Sequence, residues 1–146
     1  MTLPSGENRD TGEDGGDKRP QPTILLFEDD FNQAEPLLDV LQFNGYACAL
    51  ARNEARAREE LANPDQRFDV MIADVNLTKS DHIAFIRDTR EMPRYSALPV
   101  IIATGHDSQD AREQADLLGC AGYLVKPFST ATLLQLIARW IDANPH

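Results

Sequence analysis

Only two cysteines occur in this sequence, Cys48 and Cys120, and neither stands in a CxxC or Cys/His spacing. That argues against a zinc site and a disulfide framework, and both read as small apolar core residues. No apolar run approaches the roughly 20 residues that span a bilayer, and the N-terminus lacks a basic region followed by an apolar one. A soluble, cytoplasmic protein is expected. Basic residues are scarce: 14 Lys and Arg stand against 24 Asp and Glu, for a formal net charge of -10. The resulting field repels nucleic acid and anionic membrane surfaces, so neither is expected as a partner. At 146 residues the chain is long enough for one ordinary domain and too short for two.

Residues 1–22 hold almost no apolar side chains: Leu3 is nearly alone after Met1, among Gly6, Gly12, Gly15, Gly16, three prolines and many charges. Such a segment cannot bury enough surface to offset its ordering entropy. It reads as a disordered tail or an expression-related leader ahead of one domain over 23–146.

After Pro22 the texture changes to short apolar runs alternating with amphipathic stretches. The runs Ile24-Leu25-Leu26-Phe27, Val70-Met71-Ile72-Ala73, Val100-Ile101-Ile102-Ala103 and Tyr123-Leu124-Val125 are nearly continuous in hydrophobicity, as strands buried on both faces are. Tyr46 to Leu50 is a weaker strand, dominated by Ala and Cys. Apolar residues recur at helical spacing over about 31–43, 53–62, 82–91, 107–118 and 130–142, as with Leu133, Leu136, Ile137, Trp140 and Ile141. Five strands alternating with five helices imply a doubly wound α/β fold, with a parallel sheet between two helical layers. Asn53 and Ser129 sit where helix N-caps belong, and Gly119 where a left-handed C-cap belongs. Pro36 lies beyond the first turn of a helix starting near Asp30, which predicts a kink or a later start. Asp30 itself reads as an N-cap rather than a metal ligand. His82 and His146 show no partner pattern and are expected to be exposed.

In open sheets of this type the site forms at the carboxyl ends of the strands. Those positions hold Glu28 and Asp29, Asp74, Thr104 and Lys126. If the first and third strands are neighbours, three carboxylates converge and raise one another's pKa values. A hard dication resolves that conflict, and Mg2+ suits two carboxylates, a backbone carbonyl and waters. One carboxylate can then attack a phosphoryl donor. Asp74, alone at the end of the central strand, is the best nucleophile, and Glu28 and Asp29 are better placed to share the metal. Lys126 supplies a positive charge to the phosphoryl oxygens, Thr104 a hydrogen bond, and Gly105 room for the group to enter.

These residues lie in the segments Ile24-Leu25-Leu26-Phe27-Glu28-Asp29-Asp30, Met71-Ile72-Ala73-Asp74-Val75-Asn76-Leu77, Ile101-Ile102-Ala103-Thr104-Gly105 and Gly122-Tyr123-Leu124-Val125-Lys126-Pro127-Phe128. The ordered set, over about 23–143, resembles the receiver domains of two-component response regulators. The resemblance implies a flavodoxin-like (βα)5 three-layer sandwich with strand order 2-1-3-4-5. It implies phosphorylation of Asp74 by a histidine kinase or phosphotransfer protein, with Mg2+ held by Asp29, Asp74 and the Asn76 backbone carbonyl while Glu28 supports its water shell. It also implies that Thr104 and Tyr123 form a switch pair, that the bond before Pro127 is cis, and that the position of His106 tunes the phosphoryl lifetime; Asn76 and His106 are expected to border the hydrolytic water that sets it.

Two positions depart from the family's pattern: Thr78 stands where a proline is usual, and His82 where a glycine is usual. The loop after the third strand is therefore expected to take its own path. With about 121 residues in the receiver, no effector domain is expected. Output then passes to a protein partner through the fourth helix, fifth strand and fifth helix, or by dimerisation, or by handing the phosphoryl group onward. Two other classes compete. The stretch Asp74-Val75-Asn76-Leu77-Thr78 resembles the first motif of haloacid-dehalogenase-type phosphatases, but those require a second aspartate where Asn76 stands. A pseudo-receiver that only binds partners is the other alternative, against which the intact acids, Thr104 and Lys126 speak.

Overall fold

The computed structural model describes residues 21–143, so the tail expected over 1–22 falls almost wholly, and His146 wholly, outside the described residues. Five parallel strands, β1 (Thr23–Phe27), β2 (Ala47–Ala51), β3 (Val70–Asp74), β4 (Val100–Thr104) and β5 (Gly122–Val125), form one sheet in the order β2-β1-β3-β4-β5. The helices α1 (Phe31–Phe43), α2 (Glu54–Ala62), α3 (Ser80–Glu91), α4 (Gln109–Leu117) and α5 (Thr130–Ala143) alternate with them. This is the doubly wound architecture the sequence predicts.

Alternation along each strand divides the core between the two faces. Leu25, Phe27, Met71, Ala73, Val100 and Ile102 face α2, α3 and α4 through Ala57, Leu61, Phe85, Ile86, Ala111 and Ala115. Ile24, Leu26, Val70, Ile72, Ile101 and Ala103 face α1 and α5 through Ala34, Leu41, Leu133 and Ile137. Because β1, β3 and β4 are covered on both faces, every one of their residues except Thr23 and Asp74 is buried. That is why these runs contain almost no polar residue until they end.

Local chemistry sets the boundaries. The Asp30 carboxylate accepts from the Asn32 N–H at 2.9 Å and caps α1, and Asn53 Oδ1 accepts from the Arg56 N–H at 2.7 Å and caps α2. Ser108 Oγ accepts from the Ala111 N–H at 3.1 Å, which starts α4 two residues later than the apolar spacing suggests. Gly119 takes φ of +69° beyond α4, the left-handed conformation expected of it. Helix α1 runs from Phe31 through Pro36 to Phe43, so of the two outcomes anticipated from Pro36, a kink or a later start, the later start does not occur. A short 3-10 turn at Pro93–Tyr95 has no clear sign in the sequence. Nearby, Arg90 donates to the Leu98, Leu118 and Gly119 carbonyls, tying the end of α3 to the segments that lead into β4 and β5.

Candidate functional site

The strand order reverses between β1 and β3, and the chain end of each strand opens into one crevice there. In the β1–β3 register Phe27 lies beside Ala73, so Glu28 and Asp74 leave the sheet at the same height. Across the other side Asp74 pairs with Ala103, and Thr104 pairs with Val125, which places Lys126 one step further on. Four separate strands therefore deliver their first polar residues to one place. Carboxylate oxygens of Glu28, Asp29 and Asp74 all lie within 4.8 Å of one another. Lys126 Nζ reaches Glu28 Oε1 at 2.9 Å and Asp74 Oδ1 at 3.3 Å. The bond between Lys126 and Pro127 is cis.

Thr104 is buried at the end of β4, where its Oγ1 accepts from the His106 N–H at 2.9 Å. A Cβ added at Gly105 would meet no atom within 4 Å, so the space beside it is open. His106 is exposed. Tyr123 presents its ring face to the Arg112 guanidinium at 4.7 Å, and its hydroxyl is buried with no hydrogen-bond partner. Burial first, then the charge of the nearby Asp107 carboxylate, raise the Tyr123 pKa. Asp107 is itself held by Arg112, at 2.8 and 3.0 Å.

Two residues at the site escape a sequence reading. Gln33, in the first turn of α1, accepts from Lys126 Nζ at 2.7 Å and donates to Asp30 Oδ2 at 3.2 Å. Ninety-three positions separate Gln33 from Lys126, and no local pattern marks the contact. His82 is half-buried rather than exposed, because its Nδ1 accepts from the Asn76 N–H at 2.7 Å. Its unusual position eight residues after Asp74 is the only signal the sequence offers. The Asn76 carbonyl accepts from the Lys79 N–H at 3.0 Å, and a carbonyl oxygen keeps a second lone pair for another partner.

The electrostatics reflect burial. Glu28 is 2% exposed. Burial, the adjacent Asp74 and its charge push the Glu28 pKa up to about 7, against the opposing pull of Lys126. Two unit charges 4.8 Å apart repel by about 3.5 kcal/mol at an effective dielectric constant near 20. One lysine shared among three acceptors does not cancel that, so Glu28 keeps a proton at a pH where exposed carboxylates have lost theirs. Burial disfavours the Lys126 ammonium, but Glu28 and Asp74 outweigh it and hold its pKa above the ordinary value. The donor set is all oxygen and anionic, the chemistry that suits a hard dication. Without a dication Glu28, protonated more readily in the folded state, contributes stability below about pH 4.5 that is lost as pH rises through about 7. Urea unfolding across that window without divalent cations should show the decline, and Glu28→Gln should flatten it.

The model of the response regulator receiver domain matches residues 24–138. Among relatives, the response regulator protein FleR of Pseudomonas aeruginosa is 35% identical over 116 residues, which is 80% of this chain and 24% of FleR. The transcriptional regulatory protein ZraR of Escherichia coli is 32% identical over 127 residues, 83% of this chain and 28% of ZraR. The chain thus spans about a quarter of the length of these two relatives. Among solved structures, the chemotaxis protein CheY4 of Vibrio cholerae superposes with a TM-score of 0.73 at 28% identity, over 82% of this chain and 98% of that one. The HemR receiver domain of Leptospira biflexa does so with 0.74 at 27% identity, over 86% and 99%. With the matched residues running from β1 into α5 and including the convergent acids, Thr104 and Lys126, the chain belongs to the response regulator receiver domain family.

Proposed function

We propose that this chain accepts a phosphoryl group on Asp74 in a Mg2+-dependent reaction, as the phosphoacceptor of a two-component or phosphorelay system. The observation that carries the reading is the meeting of Glu28, Asp29 and Asp74 within 4.8 Å, with Lys126 at 3.3 Å from Asp74. Asp29, Asp74 and the Asn76 carbonyl hold the ion, and Glu28 supports its water shell. When bound, Mg2+ supplies charge neutralisation for the phosphoryl oxygens.

The chain's own residues do the rest. Asp74 is the only one of the three acids that ends a central strand singly, and at 25% side-chain exposure it is open to a donor while Glu28 is not. Its carboxylate attacks phosphorus, the donor's leaving group departs, and an acyl phosphate remains. Lys126, already charged and within reach, then pairs with a phosphoryl oxygen. Thr104 supplies a hydroxyl donor once the loop after β4 shifts, since that hydroxyl now donates to the His106 carbonyl at 3.4 Å while its oxygen takes the His106 N–H. Tyr123 moves next as the second half of the switch, and its hydroxyl gives up no close hydrogen bond in turning. The two states differ at α4, β5 and α5, and the phosphoryl group shifts the balance between them.

The donor is a histidine kinase or phosphotransfer protein, and a protein partner reads the α4, β5 and α5 face or receives the group in turn. Homodimerisation is one form that reading can take. No helix among the described residues is long and apolar enough to cross a membrane, and we place the chain in the cytoplasm. It is not a turnover enzyme beyond slow release of its own phosphoryl group. A phosphatase of the haloacid-dehalogenase kind lacks support, because the metal-binding acids precede Asp74 and Asn76 cannot act as its general acid. A binding-only scaffold would not need the acids and Lys126 brought together.

Incubation with a small acyl-phosphate donor and Mg2+ should add the mass of one phosphoryl group to the wild type and nothing to Asp74→Ala, with no sustained hydrolysis of a generic phosphomonoester. An unmodified wild type would favour the scaffold, and continuing turnover the phosphatase. We also assign Asn76 and His106 to the rim of the hydrolytic water. Both Asn76→Ala and His106→Ala should change the rate of phosphoryl loss, read by the decay of the adduct in intact-mass time courses, and unchanged decay would remove them from that role.

A further inference from the structure

Thr78 and His82, the two departures from the family's usual loop, both bind the same residue. His82 Nδ1 takes the Asn76 N–H at 2.7 Å. Asn76 Oδ1 takes the Thr78 N–H at 3.0 Å and the Thr78 hydroxyl at 2.6 Å. The Asn76 carbonyl takes the Lys79 N–H at 3.0 Å, so its backbone donor, side-chain acceptor and backbone acceptor are all engaged from the start of α3 or the loop before it.

A proline at position 78 would stiffen the loop through its fixed φ, but it has no N–H to give to Asn76 Oδ1 and no hydroxyl. A glycine at position 82 has no side chain to reach back across six residues. This chain restrains the same loop by different means, side-chain hydrogen bonds in place of backbone restriction. His82 is the third residue of α3, whose capping position, Lys79, makes no side-chain cap bond. Its ring is therefore anchored on a helix while its Nδ1 grips a loop peptide.

We propose that His82, with Thr78 beside it, is a positioning residue for Asn76: His82 fixes the Val75–Asn76 peptide and Thr78 the Asn76 side chain, and together they restrict the backbone at Asn76 whose carbonyl serves as a metal ligand. The inference rests on the Mg2+-binding reading of that cluster. Second contacts of this kind orient ligands, and their loss typically weakens metal binding about 10–100-fold.

The test is Mg2+ titration calorimetry on the full unphosphorylated chain, paired with amide exchange at Asn76 by NMR. His82→Leu, which has no acceptor, should weaken Mg2+ binding about tenfold and speed exchange at Asn76. His82→Asn, whose Oδ1 can stand where Nδ1 stood, should recover most of both. Thr78→Val provides a milder lesion should His82→Leu fail to fold, and it should weaken Mg2+ binding in the same direction. A purely structural histidine would lower the unfolding midpoint and leave Mg2+ affinity unmoved, and that result overturns the inference. So does an Asn variant as impaired as the Leu variant. A wild type that binds no Mg2+ while its Asn76 amide is protected would overturn the function reading itself, and this inference with it.

Discussion

A carboxylate that is 2% exposed, beside a second carboxylate and a third within 4.8 Å, is the constraint on which this structure turns. Burying Glu28 there costs folding free energy whenever it is charged, as its pKa near 7 shows. A proton relieves that cost up to about pH 7 and Lys126 relieves it in part, and an ion with two positive charges and a preference for oxygen is suited to the same task.

The sheet makes that arrangement rigid. Reversal of strand order between β1 and β3 sets their carboxyl ends side by side with no connection between them to cover the site. Apolar packing on both faces holds the strands in register, so acids that are 46 residues apart, Glu28 and Asp74, meet at one height. The contacts around the end of β4 and the face of β5 are of another kind. There Thr104, His106, the Asp107–Arg112 pair and Tyr123 form contacts that differ in kind from the packed core, being polar, local and partly unsatisfied. Core packing resists small displacement, whereas such a loop can exchange one set of hydrogen bonds for another.

Much of this is legible in the sequence, for identifiable reasons. Strands covered on both faces admit few polar residues, so Val70 to Ala73 and Val100 to Ala103 stand out as runs and the residues after them as candidates. Asp30, Asn53 and Gly119 act locally and are readable from their neighbours alone. Gln33 is not, since its contact with Lys126 depends on how α1 lies against the end of β5. The exposure expected of His82 fails because an imidazole alone in a polar stretch gives no sign of its acceptor role, which exists only once the loop folds back from β3 onto α3. Pro36 misleads in part: a proline inside a helix costs one hydrogen bond, and α1 continues through it regardless.

If the acids are held together for a dication, binding that ion must expel the proton that Glu28 retains near neutrality. Calorimetric titration of Mg2+ at about pH 6.5, repeated in buffers of different ionisation enthalpy, counts that proton. Release of a large fraction of one proton per ion is expected in the wild type, and close to none in Glu28→Gln. Mg2+ binding that leaves the proton count at zero in the wild type, or takes a proton up, would contradict the idea that the buried acid is there for the ion.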